Sequence, residues 1–460
     1  MKISKITLNS YNQFKDITID LTYPKGHKKQ GQPLDKVCFI GQSGTGKTSL
    51  LRLIKWFVSG DRRIDEVIEL PPLPTGSVEM EFQFEDLTFK LHTNEKSPYL
   101  RPGFPGGDTL EISRRLIRYF QEISPLLINF PTEVISNRFF KEVEPYKEEE
   151  LAGDSVLKKD VHPFGLSPQI VDFAFHEPKN SWEYALKDII DYRSQRLKRS
   201  LEISDLKARQ ESSTGETGEK EREYKEWLDN HPDPVETLAE QCLDKILGKV
   251  GLKVKVDIDL PSIRNLGYIQ LQALDGTAVP GEFWSTGTGH IVMTVLPLFQ
   301  VKPRNAVILI DEPEHSLYPD IQLEIVDLYT KQTRECQFFF ATHSPVIASV
   351  FEPWEIVELK FDKEHRRVNL NRFHEGDNDV ENYRYYPQYL RWDSILYRIF
   401  DLKSEGGKKR NKELDKLAEL NIRIRKFKEQ NRLDTPEAQK LIEKALKLSE
   451  KLDWETDKRF

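Results

Sequence analysis

A glycine-rich stretch near the N-terminus has the residue types and spacing of a phosphate-binding loop. Gly41, Gly44 and Gly46 lie in the segment GQSGTGKTS and are followed at once by Lys47 and Thr48. Glycines let backbone amides approach phosphate oxygens without a Cβ clash, the lysine adds a positive charge, and the threonine hydroxyl can bind Mg²⁺. This spacing is that of a P-loop. The residues predicted to contact nucleotide in this loop are Gly41, Ser43, Gly44, Thr45, Gly46, Lys47, Thr48 and Ser49.

A second candidate group follows the apolar run at residues 306–310, which leads into Asp311 and Glu312. A P-loop site needs a carboxylate at the end of a neighbouring buried strand to hold Mg²⁺, and Asp311 fits that need. Glu312 can polarise the water that attacks the terminal phosphate. An apolar strand that ends in Asp-Glu is a weak signal alone, but it becomes strong beside a P-loop in the same chain.

Two further polar turns belong to the same series. The segment WSTGTG, which contains Ser285 and Gly287, opens a predicted helix and is therefore a second candidate anion site. Downstream, His343 follows the apolar run at residues 336–341. A lone histidine after a strand is more often a packed residue than a catalytic one. What singles out His343 is the order of P-loop, Ser-Gly turn, acidic strand and histidine.

The composition restricts the class of protein. The 460 residues are 38% hydrophobic and 31% charged, which excludes disordered and collagen-like chains. Lys and Arg number 68 and Asp and Glu 75, so the net charge of −7 provides no overall basic field for nucleic acid. Three cysteines without a CxxC pair, no signal-peptide start and no apolar run of about 18 residues predict a cytoplasmic location without a membrane span.

The hydrophobic pattern predicts an α/β fold in which strands and helices alternate through the middle of the chain. Residues 3–8 and 17–21 alternate apolar and polar residues, as the two strands of a hairpin do, and residues 78–84 and 87–91 form a similar pair. Buried strands are predicted at residues 37–40, 306–310, 336–341 and 356–359.

Between these strands, the Pro- and Gly-rich residues 97–107 are predicted to be a loop, residues 110–123 a helix and residues 126–135 an interrupted strand. Residues 182–210 have helical periodicity, and residues 211–220 are predicted to be a polar break before the next helix. The first of these helices carries a basic cluster that is either a solvated helix face or a contact for DNA or a partner. Its members are Arg193, Arg196, Lys198 and Arg199.

In this order the motifs resemble the head domains of ABC-type ATPases of the SMC, RecF and OLD kind. The segment DEPEHSLYP, which starts at Asp311, is similar to the Walker B motif and D-loop of that group, and THSP to its switch-histidine region. The resemblance covers roughly residues 1–360, with an insertion. The chain departs from the pattern in the signature, where Thr286 and Thr288 replace commoner residues, and at Asn12, where a basic residue often follows the first strand. The best region for a Q-loop, residues 131–138, contains no glutamine.

The resemblance implies an ABC-ATPase head with a mixed sheet and a P-loop core, and ATP and Mg²⁺ as cofactors. It implies catalytic roles for Lys47, Glu312 and His343, and Mg²⁺ ligation by Thr48 and Asp311. Ser285 and Gly287 of a second copy would face the γ-phosphate, so that ATP joins two heads. Residues 314–317 would lie at the seam of that dimer.

The resemblance also suggests a domain organisation. The head would comprise residues 1–180 and 252–360, with an inserted helical arm at residues 181–251 and a helical, partner-binding region at residues 361–460. No nuclease motif is found: only Asp377-x-Asp379 has Toprim-like spacing, and no apolar strand precedes it. The C-terminal helices are similar to those of Septu-type and retron-associated anti-phage defence ATPases. This implies a defence ATPase that holds and regulates a separately encoded effector nuclease or toxin.

Three alternatives stay open at this point. A DNA-repair ATPase of the RecF or SMC kind is a rival hypothesis of the same class. The chain is also compatible with an ATP-gated scaffold that binds ATP without hydrolysing it, because the signature is divergent. DNA contact through local basic patches is the third. The C-terminal patches are formed by Lys408, Lys409, Arg410, Lys412, Arg423, Arg425, Lys426 and Lys428.

Overall fold

The computed structural model describes residues 1–59, 77–84, 87–94, 97–103, 126–132, 170–173, 178–208, 214–256, 269–362, 367–372, 387–398, 400 and 407–452. The predicted helix at residues 110–123 lies outside these residues, as does most of the polar stretch at residues 374–391. The strands are β1 (Lys2–Tyr11), β2 (Phe14–Asp20), β3 (Lys36–Gly41), β4 (Val78–Phe84), β5 (Leu87–Asn94), β6 (Ser97–Gly103), β7 (Leu127–Phe130), β8 (Ile170–Asp172), β9 (Leu252–Lys255), β10 (Gln270–Ala273), β11 (Ala278–Val279), β12 (Val307–Asp311), β13 (Gln337–Thr342), β14 (Ile356–Asp362) and β15 (Arg367–Arg372).

Twelve of these strands form one mixed sheet in the order β6-β5-β4-β1-β2-β15-β14-β3-β13-β12-β7-β8, and β9 to β11 form a small second sheet. Strands β14, β3, β13, β12, β7 and β8 run parallel to one another. Since parallel strands end at the same edge of a sheet, the residues that follow β3, β12 and β13 meet at one edge. The predicted α/β class with a mixed sheet and a P-loop core is confirmed.

The other half of the sheet is antiparallel except where β15 pairs with β2 in parallel. The predicted N-terminal hairpin is confirmed, since β1 pairs with β2 and also with β4, and β4 pairs with β5. The alternation along β1 buries Ile3, Ile6 and Leu8 in the main hydrophobic core. This hairpin matters for the site because its turn, at Asn12 and Gln13, reaches the P-loop.

The prediction of a loop at residues 97–107 is wrong for the first seven of these residues, because Ser97–Gly103 forms strand β6. This strand pairs with β5 alone and is the edge of the sheet. Proline lacks an N–H donor, but an edge strand needs only one of its two sides for pairing. Pro98 and Pro102 therefore do not prevent the strand, although they lowered its sequence signal.

The helices are α1 (Lys47–Ser59), α2 (Pro178–Ala208), α3 (Thr214–Asn230), α4 (Pro234–Leu238), α5 (Asp244–Leu247), α6 (Thr286–Val301), α7 (Pro319–Lys331), α8 (Pro345–Ala348), α9 (Trp392–Arg398), α10 (Lys408–Glu429) and α11 (Pro436–Leu452). A π-helical turn at Ala239–Leu243 joins α4 to α5. Helix α1 packs on β3, β7, β12 and β13, and most of its apolar residues are buried. None of the helices in the described ranges is long and apolar enough to cross a membrane.

Buried polar contacts join distant parts of the chain. The Gln337 side chain, at the start of β13, accepts a hydrogen bond from the Ile3 N–H at 2.7 Å and donates to the carbonyl oxygens of Ile3 and Leu34. Lys55 of α1 forms a buried ion pair with Asp172 of β8, with 2.7 Å between Nζ and Oδ2. The Gln337 amide and the Lys55–Asp172 pair are thus satisfied within the fold, and α1 is tied to the far edge of the sheet.

The inserted arm uses its basic cluster internally. Arg199 stacks over the ring of Trp227, 4.5 Å from its centroid, and Arg196 pairs with Asp233 at 3.7 Å. Arg193 is buried, and Lys198 also has a partner. The predicted polar break is shorter than expected because α3 begins at Thr214. Glycine costs only about 1 kcal/mol in a helix, and the acidic residues that follow suit a helix N-terminus.

Residues 393–460 form a second compact unit, separate from residues 1–392. Its helices α10 and α11 bury Leu417, Ile424, Leu441, Ala445 and Leu452 against each other. The division falls later than the boundary at residue 360 that the sequence suggested. The reason is that β14 continues to Asp362 and β15 returns antiparallel to it, which adds two strand segments to the head sheet.

Candidate active site

Strand β3 ends at Gly41, and the predicted P-loop joins it to α1. Gly41 and Gly46 have φ angles of 147° and 96°. A Cβ at Gly41 would collide with the carbonyl oxygen of Leu359, and one at Gly46 with the side chains of Gln13 and Phe14. Both positions therefore require glycine, for conformation and for space.

The hydroxyl residues of the loop differ in their exposure. Thr45 is buried and its Oγ1 donates to the Gln42 carbonyl at 2.8 Å, which closes the loop on itself. Ser43 and Gly44 are exposed at the tip. Ser49 lies in the first turns of α1, where its carbonyl accepts a hydrogen bond from Tyr11. Ser43 is thus the predicted loop hydroxyl that faces solvent most openly.

Lys47 is buried beneath the loop. Its Nζ donates to the carbonyl oxygens of Gly41 at 2.8 Å and Gln42 at 3.2 Å, and lies 3.3 Å from Nδ1 of His343. Burial lowers the pKa of Lys47 to about 8, against the raising effect of Asp311 and Glu312. A buried ammonium with this surrounding is stabilised by any further negative charge that arrives beside it.

Thr48 and Asp311 form the second contact of the site. The Thr48 hydroxyl donates to Oδ2 of Asp311 at 2.9 Å, and Asp311 also accepts a hydrogen bond from the Thr132 side chain. Burial raises the pKa of Asp311, while the two hydroxyls lower it. Carboxylate and hydroxyl oxygens are ligands that Mg²⁺ accepts, usually one or two at a time together with substrate phosphates. The donor set therefore fits the predicted metal.

Glu312 follows Asp311 with a left-handed backbone, at φ of 52°. Its N–H donates to the Ala341 carbonyl, which keeps the residue beside the end of β13. The carboxylate is about a third exposed and lies 3.8 Å from Nε2 of His343 and 4.0 Å from Nδ1 of His315. A non-glycine residue in this conformation is uncommon and is found often at functional sites.

His343 connects the two charged groups. Burial and the Lys47 ammonium lower the pKa of His343, so the imidazole is neutral at pH 7. A neutral ring that accepts from Lys47 at Nδ1 carries its proton at Nε2, on the side of Glu312. The structure thus brings Lys47, Thr48, Asp311, Glu312 and His343 together at one sheet edge.

The predicted signature turn at Ser285 is separate from this group of residues. Ser285 caps α6, and its Oγ accepts from the Thr288 N–H at 3.0 Å and lies 2.8 Å from Thr288 Oγ1. Gly287 is buried so closely against Ser316 that a Cβ would collide with the Ser316 carbonyl. In the part of the chain that the structure describes, the side-chain hydrogen bonds of Ser285 stay within this cap. The turn therefore packs against the segment that follows Glu312, and Ser285 is exposed.

The family relationship follows from a match that spans all of these elements. The family described as "AAA domain, putative AbiEii toxin, Type IV TA system" matches residues 36–349, which include the P-loop, the Ser285 turn, Asp311, Glu312 and His343. This chain belongs to that family. As an AAA-family protein it is a nucleotide-binding P-loop protein, and no curated protein matches it closely enough to add a more specific activity.

Solved structures similar to this AAA-family protein are SMC heads. The SMC head bound to the C-winged helix domain of ScpA shares 14% identity, with 81% of this chain and 98% of that chain covered and a TM-score of 0.40. The head with an extended coiled coil from Pyrococcus furiosus shares 15% identity, with 81% and 96% covered and a TM-score of 0.40. The head from Thermotoga maritima shares 12% identity, with 82% and 100% covered and a TM-score of 0.38.

Two residues of the AAA-family site were missed by sequence reasoning. Thr132, which contacts Asp311, lies in the region where a Q-loop glutamine was sought, and its hydroxyl carried no spacing signal. Gln13 donates from Nε2 to the Gly44 carbonyl at 3.3 Å. The sequence pattern singles out its neighbour Asn12 instead, whose left-handed backbone forms the turn of the hairpin. Only the position of the hairpin beside the P-loop identifies Gln13.

Proposed function

We propose that this AAA-family protein is an ATP hydrolase that binds ATP and Mg²⁺ at the edge where β3, β12 and β13 end. The observation that carries the proposal is that the following residues meet at one sheet edge. Lys47 lies 3.3 Å from His343, His343 lies 3.8 Å from Glu312, and Thr48 donates to Asp311 at 2.9 Å. Such a group supplies charge for phosphates, oxygen ligands for a metal and a carboxylate near a neutral imidazole.

Each residue then has a definite role. The amides of the loop at Gly41, Gly44 and Gly46 and the α1 N-terminus hold the phosphates, while Lys47 neutralises their charge. Thr48 and Asp311 would hold Mg²⁺, which would supply positive charge against the phosphates. Glu312 orients and polarises the attacking water, and His343 contacts the terminal phosphate or positions that water.

The proposed active site is shared by two copies of the chain. Ser285 caps a helix N-terminus, is exposed and has a hydroxyl engaged only by its own cap in the described residues, which supports a contact with another molecule. Ser285 and the backbone at Gly287 of one copy would then face the γ-phosphate bound by the other. ATP would hold the two heads together, and its hydrolysis would release them.

The biological setting that we propose is a prokaryotic anti-phage defence complex in the cytoplasm. The family description, which names a putative toxin of a toxin–antitoxin system, supports a defence setting. We propose a separate effector nuclease or toxin as the partner in this setting. The proposed partner-binding region is the helical unit at residues 393–460. DNA contact by the arm is disfavoured because its basic cluster is occupied by internal partners.

The experiment that tests the activity compares steady-state ATP turnover of the wild type with that of Glu312→Gln. Loss of the carboxylate should lower turnover on the order of 10²- to 10⁴-fold, because water activation is lost while phosphate binding is kept. The variant should also accumulate as a larger species with Mg-ATP, measured by light scattering. Glu335→Gln is a matched control, since Glu335 is an exposed glutamate that has a left-handed backbone like that of Glu312, with φ of 55°.

The control should leave turnover unchanged. Equal, very low rates in the wild type and in Glu312→Gln would refute the hydrolase. If both proteins nevertheless bound ATP, the chain would instead be an ATP-gated scaffold.

A further inference from the structure

Glu314 lies two residues after Glu312, and its side chain accepts three hydrogen bonds from the turn that carries His343. One carboxylate oxygen, Oε1, accepts from the Thr342 hydroxyl at 2.7 Å, from the His343 N–H at 2.8 Å and from the Ser344 N–H at 3.1 Å. The donors are three consecutive residues. Glu314 therefore holds the backbone of the turn on both sides of the histidine.

A second contact fixes the far side of the same turn. The Ser344 hydroxyl donates to Oε1 of Gln322 at 2.6 Å, and Gln322 Nε2 donates to the Leu317 carbonyl at 2.8 Å. Ser344 also caps α8 by accepting from the Val346 N–H. Because Ser344 has these additional anchors, the segment between Ser344 and the end of β13 is held mainly by Glu314. That segment is His343 itself.

The imidazole of His343 depends on this backbone position. Its two nitrogens lie 3.3 Å from Lys47 Nζ and 3.8 Å from Glu312 Oε1, both at the limit of useful contact. A displacement of about 1 Å would remove either contact, and misplacement of this size is enough to lower an enzymatic rate substantially.

The other oxygen of Glu314, Oε2, is buried and has no hydrogen-bond partner among the residues that the structure describes. The carboxylate thus acts through a single acceptor oxygen, and the negative charge is not matched by a cation on the second oxygen. An amide in place of the carboxylate would keep the acceptor oxygen and lose no existing bond. A substitution of Glu314 by glutamine can therefore distinguish a residue that only holds the turn from one that transfers a proton.

We propose that Glu314 is a positioning residue that places His343 against Lys47 and Glu312 during turnover. The inference rests on the proposed hydrolase function. It assigns to Glu314 a contact within its own molecule, which differs from the dimer-seam location that the sequence resemblance implies. Its neighbours Ser316 and Leu317 remain next to the Ser285 turn.

The test measures kcat and KM for ATP in Glu314→Gln and Glu314→Ala beside the wild type. Glu314→Gln should keep kcat within about threefold, because the amide oxygen accepts the same bonds. Glu314→Ala should lower kcat by about 10- to 100-fold with KM changed less than about threefold, since the P-loop is intact. If Glu314→Gln is as slow as Glu312→Gln, the carboxylate itself takes part in the chemistry and the positioning role is overturned. An unchanged kcat in Glu314→Ala overturns it as well.

A double substitution separates an effect through His343 from a general structural effect. His343→Ala and the double variant His343→Ala/Glu314→Ala should turn over at rates within about twofold of each other, because the second change has nothing left to displace. A further loss of tenfold or more in the double variant would show that Glu314 acts elsewhere. Absence of turnover in the wild type would refute the hydrolase, and with it this role, and is distinguishable because it does not depend on any Glu314 variant.

Discussion

The P-loop and the Ser285 turn contain the same kinds of residue, but their polar groups are used differently. Both combine Ser, Thr and Gly at the N-terminus of a helix that follows an extended segment. At the P-loop, Lys47 and Thr48 contact side chains from two other strand ends. At the Ser285 turn, the described side-chain bonds stay within the cap, and the neighbouring Gly287 packs on the Ser316 backbone.

This difference separates a binding site from a contact surface. The P-loop groups depend on one another: burial lowers the pKa of Lys47, and the surrounding carboxylates oppose that effect. Ser285 has no such dependence and is exposed, so its position is fixed by helix capping alone. A substitution in the first region should therefore act on an isolated molecule. A substitution in the second should act only when two copies meet.

The largest effect is expected for Lys47→Ala. Loss of the ammonium should weaken ATP binding by about 3 kcal/mol, roughly a hundredfold, because the phosphates lose their charge-assisted partner. The measurement is a titration with a fluorescent ATP analogue under conditions where the protein is monomeric. Lys331→Ala removes an exposed lysine and is the control, with no change expected. Unaltered affinity in Lys47→Ala would contradict the P-loop assignment.

A smaller and more selective effect is expected for Ser285→Arg. Nucleotide affinity of the isolated molecule should stay within about twofold, whereas turnover should fall by about tenfold or more because the arginine obstructs the facing copy. Ser285→Thr keeps a capping hydroxyl and should retain most of the activity. Light scattering with Mg-ATP in the Glu312→Gln background measures dimer formation directly. Full turnover by Ser285→Arg would rule out an active site shared by two copies.

The smallest effect on activity is expected at the opposite ends of the parallel strands, away from both regions, where a substitution should change stability and leave turnover unchanged. Glu355 is 4% exposed and lies 3.2 Å from Lys36 Nζ, and burial raises its pKa to about 7. Because the folded pKa exceeds the ordinary value, its contribution to stability is present below about pH 4.5 and is lost as the pH rises through 7. The free energy of unfolding should fall between pH 5 and pH 8 by up to about 3 kcal/mol relative to Glu355→Gln. Urea unfolding at several pH values measures this difference.

Parallel pH profiles for the wild type and Glu355→Gln would show that Glu355 remains charged when buried. Turnover at saturating ATP should be the same in both proteins. The comparison of turnover in these two proteins therefore also shows how far the stability of the whole fold, rather than the active site itself, affects the measured turnover rates.

The sequence predicted those parts of the fold that have strong local patterns. The buried strands before Gly41, Asp311 and His343 read as apolar runs because a parallel strand is covered on both faces. The N-terminal hairpin read as alternation because one face of it is in the core. The P-loop and the Asp311–Glu312 pair were found because their chemistry needs fixed residue types at fixed spacing.

Features set by distant contacts could not be predicted from local patterns. Nothing in the local sequence distinguishes Thr132, which contacts Asp311 only because β7 brings it there. Gln13 is likewise a turn residue that contacts Gly44 only because the hairpin lies against the P-loop. Strand β6 was obscured by prolines that only an edge position tolerates. The basic residues of the arm read as a surface patch, although Trp227 and Asp233, which engage two of them, lie about 30 residues away in sequence.

The strand that carries the P-loop has both of its sheet neighbours far away in the chain. Residues 36–41 pair with residues 337–342 on one side and 356–359 on the other. During synthesis this strand must wait for roughly 300 further residues, which takes about 15 to 60 seconds at typical elongation rates. The arm helices are complete well before that time. The arm can therefore fold early, whereas the nucleotide pocket can form only after the chain has been made as far as residue 359.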